Sequence, residues 1–172
     1  GAGAPRQARS RLRRRGDTAP GAGAGGGRAR AGAEGGDEQR GEDPTVNRLC
    51  ERAALLMGQE AALFVPSGTM CNQIAIATHC RPGDEIITAE ASHIIGSEGA
   101  GAAIFAGSFI RMISCRRGIF SAADVSAAVR PRRPKSPRSR LLEVEQTNNR
   151  GGGSIWSLEA IRSVTDAARA HG

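Results

Sequence analysis

The 172-residue chain has no tyrosine and contains one lysine, one tryptophan and four phenylalanines. Its arginines concentrate in two clusters, residues 6–15 and 130–140, and no aromatic residue interleaves with either. Neither cluster therefore offers the stacking platform on which single-stranded nucleic acid binds. The net charge of +7 then indicates weak attraction for phosphate, and we expect no specific nucleic-acid partner.

Two further absences narrow the class of protein. No apolar run approaches the length of a membrane span, so we expect no membrane partner. The four cysteines show no CxxC spacing and have no histidine at ligand distance, which argues against a zinc site. Cysteines placed singly in apolar patterns favour a reduced environment, and we expect a cytoplasmic protein.

The composition changes sharply along the chain. Residues 1–43 hold half of the 24 glycines and almost no large apolar side chains. Such a stretch cannot bury enough apolar surface to offset the entropy of ordering it. We therefore expect residues 1–41 to be a disordered or misread segment and the folded domain to span residues 42–172.

From Pro44 onward, apolar periodicity and turn residues predict alternating helices and strands. The predicted helices are 44–57, 69–78, 96–106, 122–129 and 158–170, and the predicted strands are 61–65, 85–89, 109–113 and 141–145. Strands separated by helical crossovers favour an α/β fold with a mainly parallel sheet flanked by helices. Ligands of such sheets bind beyond the carboxyl ends of the strands, so the loops that follow the strands are the candidate sites.

The first candidate loop contains Ser67, Gly68 and Thr69 at the start of a predicted helix. A helix N-terminus offers unpaired N–H groups and partial positive charge, and glycine allows close approach of an anion. The alternative is that Ser67 or Thr69 only caps the helix.

Two further loops carry polar residues of chemical interest. His93 is the one histidine in a predicted strand-to-helix loop, where its ring could stack on a planar ligand or titrate. An exposed surface histidine is the alternative. Residues 145–153 follow the last predicted strand and are rich in amides and glycine, and polar side chains at such a position could reach a ligand. A flexible, solvated turn is the alternative.

Five motifs in one order resemble the threonine aldolases, a family of fold-type I pyridoxal-phosphate (PLP) enzymes. They are Gly41-Glu-Asp-Pro-Thr-Val-Asn-Arg-Leu49, Glu60-Ala-Ala-Leu-Phe-Val-Pro-Ser-Gly-Thr-Met70, Arg81-Pro-Gly-Asp-Glu85, His93 with Glu98, and Glu145-Gln-Thr-Asn-Asn149. The resemblance implies that residues 42–172 form the N-terminal part of the family's PLP-binding large domain. It also implies, for the complete protein, cleavage of threonine-type and allo-threonine-type β-hydroxy-α-amino acids to glycine and an aldehyde.

The resemblance assigns roles to individual residues and partners. Ser67, Gly68 and Thr69 would hold the PLP phosphate, and His93 would lie over the pyridine ring and act as a catalytic residue. Asn148, at a position where the family often has a histidine near the substrate, is the second residue assigned a catalytic role, and Glu98 would support the loop that carries His93. Gln146, Thr147 and Asn149 would border the substrate pocket. The partners implied are a small amino-acid substrate and further copies of the chain in a homo-oligomer.

The Schiff-base lysine of the family has no counterpart in these motifs, because Lys135 lies in the arginine- and proline-rich loop. We expect that lysine and the acidic partner of the pyridine nitrogen to follow Gly172, so the segment alone would be inactive. Two alternatives stay open at this point: a related PLP lyase for another β-substituted amino acid, and a non-catalytic basic fragment that associates with polyanions.

Overall fold

The computed structural model of the chain describes residues 35–37 and 41–172. The predicted disordered or misread segment, residues 1–41, thus lies almost entirely outside the described residues, and that prediction stays open. The fold divides into two compact units, the first ending at Phe64 and the second running from Val65 to Gly172.

In the first unit, helix α1 spans Pro44–Met57, as predicted. Asp43 caps it, because its Oδ1 accepts the N–H groups of Thr45 at 2.8 Å and Val46 at 3.0 Å. These bonds, that of Val46 most, lower the pKa of the Asp43 carboxyl. Gly58 ends the helix in the left-handed conformation, with φ of 62°.

The predicted strand at residues 61–65 is wrong. These residues form neither strand nor helix, and the side chains of Leu63 and Phe64 are exposed. A strand needs a neighbour that takes its backbone N–H and C=O groups, and no strand in the described part of the chain pairs with this run. Apolar composition alone could not reveal that missing neighbour.

Five helices and one short turn lie in the second unit. They are α2 (Gly68–His79), α3 (His93–Gly96), α4 (Gly101–Ala106), α5 (Ala122–Ala128), α6 (Leu158–Ala170) and a 3₁₀ turn at Arg116–Gly118. The predicted capping box of α5 is confirmed, since Ser121 and Asp124 each bind the other's backbone N–H. None of the helices in residues 35–37 and 41–172 combines the length and the apolar character that a membrane crossing requires.

The sheet consists of β1 (Asp84–Ala89), β2 (Phe109–Ile113) and β3 (Arg138–Leu142). All three strands run parallel in the order β2-β1-β3, so β1 is central. Every residue of β1 is buried. The predicted α/β fold with a parallel sheet between helices is therefore confirmed.

Alternate residues of β1 enter two separate cores. Ile87 and Ala89 pack on one face with Val125 of α5, Val164 of α6 and Trp156. On the other face, Ile86 packs with side chains of α2, α3 and α4, which are Ile76, Ile94, Ala102 and Ala106. The sheet is thus covered by helices on both sides, and its two ends are left for the loops.

One predicted helix, residues 96–106, is divided in two in the structure. α3 begins earlier, at His93, and residues 97–100 separate it from α4. Gly99 and Ala100 both have φ of 60°, a left-handed conformation that interrupts a right-handed helix. The high content of small residues was compatible with a helix but gave no sign of this break.

Strand β3 lies three residues earlier than predicted, ending at Leu142 and not at residue 145. Its first residue, Arg138, pairs in register with Asp84, and an irregularity between Glu85 and Ile86 leaves Arg140 without a partner in the register. Because the strand ends early, Glu143 and Glu145 lie beyond it, at the carboxyl edge of the sheet. This shift determines which side chains reach the candidate site.

Candidate active site

The loops after β1 and β3 meet at the carboxyl edge of the sheet, where His93 contacts Glu145. The Nδ1 atom of His93 lies 2.6 Å from Oε1 of Glu145, and the backbone N–H of His93 donates to Oε2 at 2.9 Å. The His93 side chain is 36% exposed and that of Glu145 15%. One carboxylate therefore fixes both the ring and the backbone of His93.

Glu145 also organises the loop that it begins. Its Oε1 accepts the backbone N–H of Asn149 at 3.1 Å, and its Oε2 accepts an amide hydrogen of Asn148 at 3.3 Å. Glu145 belongs to one of the five sequence motifs, in which no role is assigned to it. A carboxylate at the end of a buried strand, heading a polar run, was the signal available for it.

A second carboxylate, Glu143, holds the loop that leads to His93. Its Oε2 accepts the hydroxyl of Ser92 at 2.9 Å and also that of Thr88. Burial raises the pKa of Glu143, while the two hydroxyl hydrogen bonds act in the opposite direction. Ser92 and Thr88 are both buried, so Glu143 ties the end of β1 to the end of β3 below His93. Sequence reasoning missed this residue.

Asn148, one of the two predicted catalytic residues, is fully buried. Its Oδ1 accepts the N–H of Gly151 at 2.6 Å, and its Nδ2 donates to Glu145. Its backbone N–H donates to the carbonyl of Ser154 at 3.1 Å. These hydrogen bonds show that Asn148 stabilises the loop of residues 145–154 from within. Its predicted catalytic role stays a prediction.

The three residues predicted to border the substrate pocket all lie on the surface of this loop. Oε1 of Gln146 accepts the backbone N–H of Trp156 at 2.9 Å, which ties the loop to the core. Thr147 and Asn149 have exposed side chains on either side of the buried Asn148.

The predicted anion-binding residues, Ser67, Gly68 and Thr69, lie at the N-terminus of α2 and are exposed. Oγ of Ser67 accepts the N–H of Met70 at 3.1 Å, so Ser67 does cap the helix. The N–H groups of Gly68 and Thr69 have no acceptor within a helix that begins here. Ser67 and Thr69 line a groove of about 420 Å³ together with Met70, Ile74 and Phe105.

No hydrogen bond within the described residues joins Ser67–Thr69 directly to the His93–Glu145 pair. Glu98 binds α2, because its Oε1 and Oε2 accept the side-chain amides of Asn72 at 2.7 Å and Gln73 at 2.6 Å. Glu98 thereby ties α2 to the segment between α3 and α4. Its observed contacts are with α2, and its predicted support of the His93 loop stays a prediction.

The chemistry of these groups is that of an organic ligand site. Within residues 35–37 and 41–172, no group of three or more His, Cys, Asp or Glu side chains is arranged to hold a metal ion. The groups at hand are a ring held at its edge, two carboxylates, amides and a free helix N-terminus. Together they can bind an anion and a flat ring and can hold a proton at the remaining imidazole nitrogen.

The sequence of the chain matches known proteins of one family. The profile of the Beta-eliminating lyase family matches residues 15–172. Low-specificity L-threonine aldolase 1 of Arabidopsis thaliana is 36% identical over 148 residues, which are 84% of this chain and 41% of that protein. Low specificity L-threonine aldolase of Escherichia coli (strain K12) is 35% identical over 135 residues, covering 78% of this chain and 40% of the relative.

A solved structure, the threonine aldolase of Leishmania major, superposes with a TM-score of 0.55 at 23% identity. The match covers 62% of this chain and 30% of that one, and it concerns the fold. The chain spans about two fifths of the length of the curated relatives described above. Because the family profile matches nearly all residues of this chain, the chain belongs to the beta-eliminating lyase family and, within it, to the threonine aldolase group.

Proposed function

We propose that this chain supplies the phosphate-binding and ring-binding part of a PLP-dependent carbon–carbon lyase. The reaction is cleavage of threonine-type β-hydroxy-α-amino acids to glycine and an aldehyde. The observation that carries the proposal is the His93–Glu145 pair at the carboxyl edge of a parallel sheet, in a chain of the threonine aldolase group. That edge is where ligands of such sheets bind.

The residues present fit two parts of PLP. The exposed N-terminus of α2, a helix of 12 residues, offers N–H groups, hydroxyls and partial positive charge to a phosphate. The imidazole of His93 is held through its edge, since a hydrogen bond to a ring nitrogen lies in the ring plane, and its face can contact a flat ring. The covalent linkage is not supplied here, because Lys135 precedes β3 at the opposite edge of the sheet.

When bound, PLP supplies the electron sink for the bond that breaks. The chain's own residues orient the reactants and hold the proton. With Glu145 accepting from Nδ1, the proton of a neutral His93 stays on Nδ1 and Nε2 carries the lone pair. We assign Nε2 of His93 as the acceptor of the substrate hydroxyl proton, whereas the amide of Asn148 does not titrate.

Thr147 and Asn149 are the side chains of the 145–154 loop that we assign to the substrate. Both are exposed, and Glu145 fixes the backbone of Asn149. Their hydroxyl and amide can donate to or accept from a polar amino-acid substrate. Buried Asn148 sets their positions through its bonds within the loop.

The cofactor part of the proposal is tested by binding. Titration of the chain with PLP and with pyridoxal, followed by fluorescence of the single tryptophan, should show about tenfold tighter binding of PLP, since only PLP carries the phosphate. Thr69→Val should weaken PLP binding, and Thr78→Val, at an exposed position of the same helix, should not. Equal affinities for PLP and pyridoxal would leave Ser67 as a helix cap and nothing more.

The reaction is tested in a chimera, because the chain spans only part of its relatives. Residues 41–172 would replace the matching segment of the E. coli relative, and products from L-threonine and L-allo-threonine would be measured. Equal amounts of glycine and acetaldehyde are expected. Pyruvate from β-substituted amino acids, with no aldehyde from threonine, would favour the related lyase instead.

A further inference from the structure

A second concave site lies at the amino-terminal end of the sheet, where β3 begins. A pocket of about 410 Å³ there is lined by residues of the loop at 129–137, the first residues of β3 and His171. Four arginines line it: Arg130, Arg132, Arg133 and Arg138. The proposed lyase function makes no use of this pocket.

Two of the four arginines are fixed by buried carboxylates of β1. Arg138 donates through Nε and Nη2 to the two carboxylate oxygens of Asp84, at 2.9 Å and 2.7 Å. Arg130 donates through Nε to Glu85 at 2.7 Å. A guanidinium group has five N–H donors, so three remain on Arg138 and four on Arg130. These two side chains are held in place and can still donate.

The other two arginines have no carboxylate partner among the described residues. Neither Arg132 nor Arg133 takes part in an ion pair there. Among the described residues, Asp84 and Glu85 are the only carboxylates that pair with these four guanidinium groups, which leaves two of the four positive charges unpaired. Pro134 and Pro137 restrict the backbone that presents them.

We propose that this pocket binds a small phosphate-bearing anion, such as a phosphate monoester. Its excess of two positive charges matches a phosphate dianion, and planar guanidinium groups bind phosphate oxygens in pairs. Its volume is in the range of small-molecule pockets. No Phe, Tyr or Trp side chain lines it, and His171 contributes its single imidazole ring.

The pocket is separate from the candidate PLP site. Asp84 and Arg138 begin their strands, whereas His93 and Glu145 follow the ends of theirs. The length of β1 sets the two sheet edges roughly 16 Å apart. A single phosphate group therefore cannot occupy both sites, and the anion proposed here is additional to the phosphate at the candidate PLP site.

The test is a titration of the full chain with inorganic phosphate at constant ionic strength, followed by backbone amide NMR shifts. Saturable shifts at Ser136 and Ser139 are expected. Arg132→Gln/Arg133→Gln should raise the dissociation constant at these residues by at least about tenfold, since charged hydrogen bonds are lost. Arg48→Gln/Arg52→Gln removes the same charge from exposed positions of α1 and should change it less than about twofold.

Equal weakening in both double variants would overturn the proposal, because it would show a general charge effect. Shifts confined to Thr69 would also overturn it while supporting the phosphate site on α2, so the two proposals fail separately. The same titration is repeated with a short oligonucleotide in place of inorganic phosphate. Tight oligonucleotide binding with no saturable phosphate shifts at Ser136 and Ser139 would replace the small anion with a polyanion.

Discussion

Glu145 binds His93 at two points although the two residues are 52 positions apart in the chain. Its Oε1 meets the ring at Nδ1 and its Oε2 meets the backbone N–H. A carboxylate that holds a histidine in this way fixes the tautomer and the orientation of the ring together. The geometry of the candidate site therefore depends on the loop after β3 as much as on the loop after β1.

Glu145→Gln should weaken PLP binding by about five- to tenfold, because the neutral amide is a weaker acceptor and offers only one acceptor oxygen. Titration of the variant with PLP measures the effect. Glu90→Gln is the matched control, since Glu90 is an exposed residue just after β1 whose side chain contacts Ser114. Unchanged affinity in Glu145→Gln would remove Glu145 from the site.

Substitutions of His93 separate ring contact from proton transfer. His93→Phe keeps a flat ring and should retain much of the PLP affinity, whereas His93→Ala should lose distinctly more. In the E. coli chimera both variants should lose threonine cleavage, because neither side chain can hold a proton at Nε2. Equal loss of PLP affinity in the two variants would indicate a hydrogen-bonding role for His93. Unchanged PLP affinity in both variants would indicate that His93 is a surface residue with no role in PLP binding.

Gly118→Ala should lower the free energy of unfolding by at least about 2 kcal/mol, from strain and overpacking together. Gly118 has φ of 75°, and a Cβ there would overlap the side-chain amide of Asn148. Gly152→Ala is the control, because Gly152 has φ of 77° with open space around it. Urea unfolding should show the smaller loss for Gly152→Ala, and equal losses would mean that the Asn148 contact contributes nothing.

The partly buried carboxyl of Glu143 predicts a defined pH dependence of stability. Because burial raises the pKa of Glu143 above the ordinary value of 4.5, the native state holds this proton more tightly than the unfolded chain does. Unfolding then releases a proton between the two pKa values, so this group makes the protein less stable as pH rises. Above the raised pKa the penalty is complete.

Glu143→Gln removes that penalty and can still accept the hydroxyl of Ser92 or Thr88. The difference in unfolding free energy between the variant and the original chain should therefore move in favour of the variant as pH increases from about 4.5. The pKa of Asp84 is lowered, mainly by its hydrogen bonds with Arg138, so Asp84 makes the protein more stable as pH rises. This contribution is the same in both proteins and cancels in the difference between their unfolding free energies. Parallel pH profiles would contradict the assignment.

Local signals predicted most of the helices. The capping residues Asp43 and Ser121, and the terminating glycine at position 58, act within a few residues of the backbone groups that they satisfy, so short motifs reveal them. The strand at residues 109–113 was predicted with its observed bounds. The break between α3 and α4 was not, because small residues are compatible with both a continuous helix and a turn.

Contacts between residues far apart in the chain could not be predicted from local sequence patterns. The position of β3 follows from the pairing of Arg138 with Asp84, which lies 54 residues away. The candidate site also combines a local feature with a long-range one. The predicted strand before His93 indicated that His93 lies in a loop at the end of the sheet, but no local signal indicated its bonds to Glu145. Glu143 was missed for the same reason, because its partners Thr88 and Ser92 belong to another strand and its loop.

The order of the strands in the sheet has a consequence for synthesis on the ribosome. β1 is central, yet it is made before both of its neighbours, so its two edges stay unpaired until residues 113 and 142 have emerged. Unpaired apolar strands invite association between nascent chains. Asp84 and Glu85 place two negative charges at the start of β1, and these charges discourage the pairing of its unpaired edges with other nascent chains. Only later in translation do Arg130 and Arg138 arrive to neutralise them.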